Sequence, residues 1–292
     1  MSADGGVLAV AKALSEPLTK LIEVCANGLG RAYEPTHIRR VAKADGDAML
    51  VRIEAELRRD DLALRAAQRL FDAERQRQMN IEAIVEQAQL QLPTSVSSDP
   101  VGADWATRFF GECQDVADEQ MQQVWGKVLA GEIAMPRSFS RRTLSILKNL
   151  SQEEAQSFNV LCKNSFKTKF SIEPFIYLDH PPVATNMSGL SFEVLGELQD
   201  TGLIAIVESG IALQEVDNLF LFSAAYMLHA ARATKSNFLA GNVRLTRAGD
   251  ELASVCEWEA PRERVDMVVG RLEAEGFAVS VHKGTKAAQA PD

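Results

Sequence analysis

Asp104-Trp105-Ala106-Thr107-Arg108-Phe109-Phe110 and, a few turns on, Met121-Gln122-Gln123-Val124-Trp125-Gly126-Lys127-Val128-Leu129 decide the fold class. Trp105, Phe109, Val116, Met121, Val124, Trp125, Val128 and Leu129 recur at helical spacing, so they read as one stripe of a helix that Asp104 can cap and Pro136 stops. Two tryptophans and a phenylalanine on that stripe are expected in a core rather than in a ligand cage, because each ring removes a large apolar area from water.

Downstream, Ser140 suits the N-cap of a helix carrying Leu144, Leu147 and Leu150. Ser151-Gln152-Glu153-Glu154 reads as a capping box, with Glu154 reaching back to the Ser151 amide, and Phe158 and Leu161 continue that helix on a buried face. Beyond Phe170 the period changes. Phe170 to Leu178 and Leu203 to Val207 read as strands, Asp179-His180-Pro181-Pro182 as a turn, and Ser191 to Leu198 as a helix ending before Gly202. Gly241-Asn242-Val243-Arg244-Leu245-Thr246-Arg247-Ala248-Gly249 reads as a strand leading into a helix capped by Thr246, an order that resembles the closing half of winged-helix domains. Arg262 to Glu275 and Phe277 to His282 are expected as a last helix and strand.

Upstream, Pro93-Thr94-Ser95-Val96-Ser97-Ser98-Asp99-Pro100 reads as a linker or exposed loop. Between Pro35 and Leu92 no proline interrupts three apolar stripes: Leu50, Ile53 and Leu57; Leu64, Ala67 and Phe71; and Ile81, Ile84, Val85 and Ala88. These predict long helices with a break near Arg59-Asp60-Asp61. From Val7 to Leu29 an amphipathic helix is expected, broken at Pro17 and closed by Gly28 and Gly30.

The expected architecture is mostly α with a smaller α+β C-terminal part. It comprises a long-helix region over 1–92, a linker over 93–103, a helical unit over 104–168, a winged-helix-like domain over 169–283 and a disordered tail over 284–292.

Composition narrows the function classes. The 292 residues with 46% hydrophobic and 24% charged side chains are those of a folded globular chain. A net charge of −9 argues against a general nucleic-acid coat, since such affinity comes from neutralising phosphates. Met1 to Gly6 lacks the basic and apolar segments of a secretory signal, so cytoplasmic residence is expected. The apolar run Leu219 to Ala231 is shorter than the ~20 residues needed to span a bilayer. Peripheral membrane contact is not expected either.

Cys25, Cys113, Cys162 and Cys256 form no CxxC pair and are expected as reduced core thiols. His37, His180, His229 and His282 lie in separate segments at no ligand spacing, and no glycine-rich phosphate loop is present, so neither a metal nor a cofactor is expected. Asp60-Asp61, Asp118-Glu119 and Glu153-Glu154 sit at helix starts, where their charge favours the macrodipole. The most concentrated basic run is Pro136-Arg137-Ser138-Phe139-Ser140-Arg141-Arg142-Thr143. Arg137, Arg141 and Arg142 there, with Arg244 and Arg247 beside the wing-like strand, are the candidate contacts for an anion or nucleic acid. Salt bridges to acids around Glu132 are the plainer expectation for the first three.

Asp104-Trp105, Trp125 to Ile133, Pro136 to Leu144 and Leu150-Ser151-x-Glu153-Glu154-Ala155 resemble the bacterial DUF2806 family and, more distantly, the abortive-infection alpha family; Leu14 to Pro35 is compatible with the same likeness. The second resemblance implies a role in bacterial defence against phage, without a catalytic motif to carry over. The expectation is a non-enzymatic cytoplasmic protein acting as a homo-oligomer or through a protein partner. A winged-helix DNA-binding regulator is the first alternative, and an effector nuclease without a short motif the second.

Overall fold

The computed structural model describes residues 15–30, 61–169, 171–178 and 190–283. The expectations for Val7 to Leu14, for Pro35, for the stripe Leu50, Ile53 and Leu57, for the break at Arg59-Asp60, for the turn at Asp179 to Pro182 and for the tail from Gly284 lie outside those residues. The chain divides into a helical unit, Met1–Lys148, and a mixed unit, Asn149–Asp292.

The described helical unit begins with α1, Glu16–Leu29. Pro17 sits in its first turn, where a missing N–H costs nothing, so the helix starts at the proline where a break was expected. Gly30, at φ 67°, closes it with an N–H donated to the Ala26 carbonyl. The 31-residue α2, Asp61–Gln91, follows. The single stripe expected from Trp105 to Leu129 is carried by two helices, α3, Ala103–Cys113, and α4, Glu119–Ala134. Asp118 accounts for the break. Its carboxylate accepts the Met121 N–H at 2.9 Å, starting a second helix, while Val116 turns back onto the Cys113 carbonyl. Gly102, not Asp104, is the N-cap of α3, and Asp104 contributes a first-turn charge.

Ile84, Val85 and Ala88 of α2 and Trp125, Val128 and Leu129 of α4 are all buried, and these two helices pack together. Phe109 stacks on Trp105 at 5.1 Å and meets Trp125 edge-on at 5.2 Å, so the aromatic stripe is core as expected. Small residues permit the close approaches. A Cβ on Gly126 would fall 2.5 Å from the Gln87 Cβ, and one on Gly28 would fall 2.4 Å from the Phe110 ring. The 93–102 stretch is tied to this unit by the Ser97 N–H on the Ala134 carbonyl and by Lys20, which donates to the Ser97 and Asp99 carbonyls. Helix α5, Arg141–Asn149, starts at Ser140, whose hydroxyl accepts the Thr143 N–H.

The mixed unit opens with α6, Gln152–Lys163. Its capping box is present in both directions, with Glu154 N–H on Ser151 Oγ at 3.1 Å and Ser151 N–H on Glu154 Oε2 at 2.7 Å. Strands β1, Phe166–Lys167, and β2, Ile172–Glu173, are short. Helix α7, Phe192–Asp200, leads into β3, Ile204–Phe222, which pairs antiparallel with β4, Tyr226–Leu245. Helix α8, Arg247–Ala253, then α9, Arg262–Ala274, and β5, Ala278–Lys283, complete the unit. The sheet order is β2-β1-β3-β4-β5. The fold is therefore helical followed by mixed α+β.

Helix, strand pair and Thr246-capped helix occur in the order read from the sequence, but the strand pair is far longer than the segment Leu203 to Val207 foretold. The apolar run Leu219 to Ala231 is the far end of this hairpin. There Leu219, Leu221, Leu228 and Ala230 join Val265, Val268 and Leu272 of α9 in one core. The hairpin is bulged between Ile206 and Ile211 and again around Val216. Asn242 holds the first bulge, donating to the Val207 and Glu208 carbonyls at 3.0 and 3.3 Å and accepting the Leu178 N–H.

Two buried polar groups stand out in this unit. Arg264 of α9 donates to the carbonyls of Asn164, Pro174 and Phe175. Glu173 is buried beside Ser171, whose hydroxyl donates to it at 2.6 Å. Burial raises the Glu173 carboxyl above its ordinary range, the Ser171 bond opposing. A carboxyl whose folded-state pKa is raised contributes stability below its unfolded value, and that contribution is lost as pH rises through the folded value. Glu173→Gln is therefore expected to raise the melting temperature at pH 8 and to change it less at pH 4. A thermal melt at the two pH values reads this, and an equal shift at both would contradict it.

Candidate functional site

The basic run expected to face an anion is built around an acid. Glu132 of α4 is 2% exposed, and its carboxylate accepts the backbone N–H of Arg137 at 2.7 Å and of Phe139 at 3.0 Å. The Trp105 indole donates to the Phe139 carbonyl at 2.8 Å, and a Cβ on Gly131 would meet the Phe139 ring at 2.9 Å. Arg137 sits at φ 76°, a strained backbone for a non-glycine residue, held by these bonds. Trp105, Gly131, Glu132 and Phe139 thus form a structural knot, which explains why these residue types stand together in the chain. Of the salt bridges expected for this run, Arg137 makes one, its guanidinium going to Asp99 at 2.9 Å, while Glu132 takes the two backbone bonds.

Arg141 and Arg142 are exposed on the first turn of α5. Arg141 lines an open groove of about 490 Å³ between α3 and α5, with Asp104, Arg108, Glu112 and Lys148. Glu112 takes Lys148 at 2.7 Å and Arg108 at 3.5 Å, so much of the groove's positive charge is already answered. Arg108, Glu112 and Lys148 were not legible as a group. Only the Arg108–Glu112 spacing of four residues signalled one of the pairs.

Arg244 and Arg247 lie on the other unit. Arg244 is exposed on β4, where its charge acts on Asp250; burial nonetheless raises that carboxyl. Arg247 pairs with Glu251 at 3.0 Å. In the helix-and-hairpin order of a winged helix, α7 would approach DNA. Its exposed positions include Phe192, Glu193, Glu197 and Asp200, with no Lys or Arg among residues 192–200. A phosphate backbone would meet repulsion there.

A surface that the stripes read from sequence did not include lies on α2. Ile81, Ile84, Val85 and Ala88 bury the C-terminal part of this helix, which is about 46 Å long at 1.5 Å per residue. Earlier in the helix, Leu62, Ala66, Leu70 and Ala73 recur at spacings of four, four and three and are all exposed, Leu62 at 70% and Leu70 at 63%. Leu64, Ala67 and Phe71, the stripe read from sequence, lie on the neighbouring flank and are half-buried. Among the described residues no three His, Cys, Asp or Glu side chains gather to hold a metal ion, and no helix is long and apolar enough to cross a membrane.

Comparison with known families adds one match. The family described as "Protein of unknown function (DUF2806)" matches residues 64–269, which run through both units. No curated protein and no solved structure matches the chain.

Proposed function

The chain belongs to the DUF2806 family, and we propose that it is a non-enzymatic protein that works by self-association through its helical unit, as a cytoplasmic component of defence against phage. The exposed apolar stripe Leu62, Ala66, Leu70 and Ala73 carries the reading. Two exposed leucines aligned with alanines on one helix face form a pattern that a second helix covers. The defence context rests on the more distant resemblance of Asp104-Trp105, Trp125 to Ile133, Pro136 to Leu144 and Leu150 to Ala155 to the abortive-infection alpha family. Light scattering coupled to size-exclusion chromatography over a dilution series, with and without duplex DNA, tests the proposal. A mass above one chain that falls on dilution and ignores DNA is the expected result. A single-chain mass at every concentration would overturn it.

The winged-helix regulator is supported by the order α7, β3, β4, α8 and by the exposed Arg244. It is the weaker reading, since α7 is acidic and Arg247 is already paired. It requires salt-sensitive DNA binding that Arg244→Glu weakens. The expected result is no retardation of DNA at low salt.

A further inference from the structure

Four observations converge on the connection between α8 and α9. On α6, Asn159, Cys162 and Lys163 are spaced to share one face. Asn159 accepts the Glu257 N–H at 3.1 Å, and Lys163 pairs with the Glu257 carboxylate at 3.3 Å. These bonds lay Cys256, the residue before Glu257, beside α6 next to Cys162, where the two thiols are near enough to act on each other. Both cysteines are held in place: the Ser165 N–H binds the Cys162 carbonyl, and Cys256 donates its own N–H to Ala253 and its thiol to the Leu252 carbonyl. Their exposures differ, Cys162 being fully buried and Cys256 partly open to solvent.

We propose that Cys162 and Cys256 are a modification site, a dithiol that closes to a disulfide in reaction with a small disulfide oxidant of the glutathione type and fastens the α8–α9 connection to α6. The accessible Cys256 loses its proton and attacks one sulfur of the oxidant, forming a mixed disulfide and expelling one thiolate, which is protonated. Cys162 then loses its proton and attacks the Cys256 sulfur, expelling the second thiolate. The pair is oxidised by two electrons and the oxidant is reduced to two thiols. Burial raises the Cys162 thiol well above its ordinary value, so closure is the slow step and speeds up as pH rises. Cys25 and Cys113 are both fully buried and have no exposed member to start the same exchange.

The full-length protein is incubated with oxidised glutathione at pH 7 and pH 8.5, then followed by intact mass and a non-reducing peptide map. The expected course is a glutathione adduct at Cys256 that gives way to a species about 2 Da lighter than the starting protein. A peptide linking Cys162 to Cys256 should appear, faster at the higher pH, together with a higher melting temperature that dithiothreitol reverses. Cys256→Ser, at a partly exposed position, should block both steps, and Cys162→Ala should stop at the adduct. An adduct that never closes in folded wild type, a link confined to Cys25 and Cys113, or no modification at all would overturn the proposal.

Discussion

Gly126→Ala is expected to lower the stability of the helical unit by roughly 3 kcal/mol, although alanine is the better helix former. The added Cβ would stand 2.5 Å from the Gln87 Cβ, 2.9 Å from the Ala88 amide nitrogen and 3.0 Å from the Gln87 carbonyl carbon. Two of those neighbours are backbone of α2, so no rotamer change relieves the clash and the α2–α4 spacing must open. Trp125 and Leu129, beside Gly126 on α4, are buried in the core that would open with it. Gly111→Ala in α3 is the matched control. Nothing lies within 4 Å of its added Cβ, so it should stabilise by about 0.5–1 kcal/mol through helix propensity alone. Urea unfolding in a Trp258→Phe background isolates the fluorescence of Trp105 and Trp125, which belong to this unit. If Gly126→Ala and Gly111→Ala moved stability in the same direction, the close approach of α2 and α4 would be wrong.

Arg264→Met is expected to destabilise the mixed unit by about 3 kcal/mol or more. The guanidinium is almost wholly buried, burial depresses its pKa to about 10, and it donates to the carbonyls of Asn164, Pro174 and Phe175. Methionine fills the space but leaves three carbonyls without that donor, two of them buried, including the one at Phe175, where φ is 51°. Arg264→Lys should lose nearly as much, because one ammonium cannot span acceptors on two chain segments as a planar fork does. Trp258 fluorescence reads this unit. A lysine variant as stable as the wild type would show that the charge matters rather than the fork.

Much of the helical structure could be read from the sequence because the helices obey one period and carry their own caps. Ser151 and Glu154 are three residues apart and bond each other, so the pattern contains the contact. The break before Asp118 was missed because Val116 and Met121 continue the apolar stripe across it by coincidence of spacing. The hairpin from Ile204 to Leu245 was largely missed because bulges at Gly210 and Glu215 disrupt the period of two. The five arginines were legible as candidates, but the acids that temper them were not always so. Asp99 reaches Arg137 from 38 residues away, whereas Glu251 follows Arg247 at helical spacing. Cys162 and Cys256 meet only through the fold.

The proposed self-association needs an exposed apolar face, and Leu62, Ala66, Leu70 and Ala73 of α2 present one. The most direct measurement is the solution molar mass of wild type against the double variant Leu62→Glu, Leu70→Glu, at equal concentration and with circular dichroism to confirm that both are folded. The account predicts an oligomeric wild type and a variant reduced to one chain with unchanged helicity. A variant that keeps the wild-type mass would contradict it.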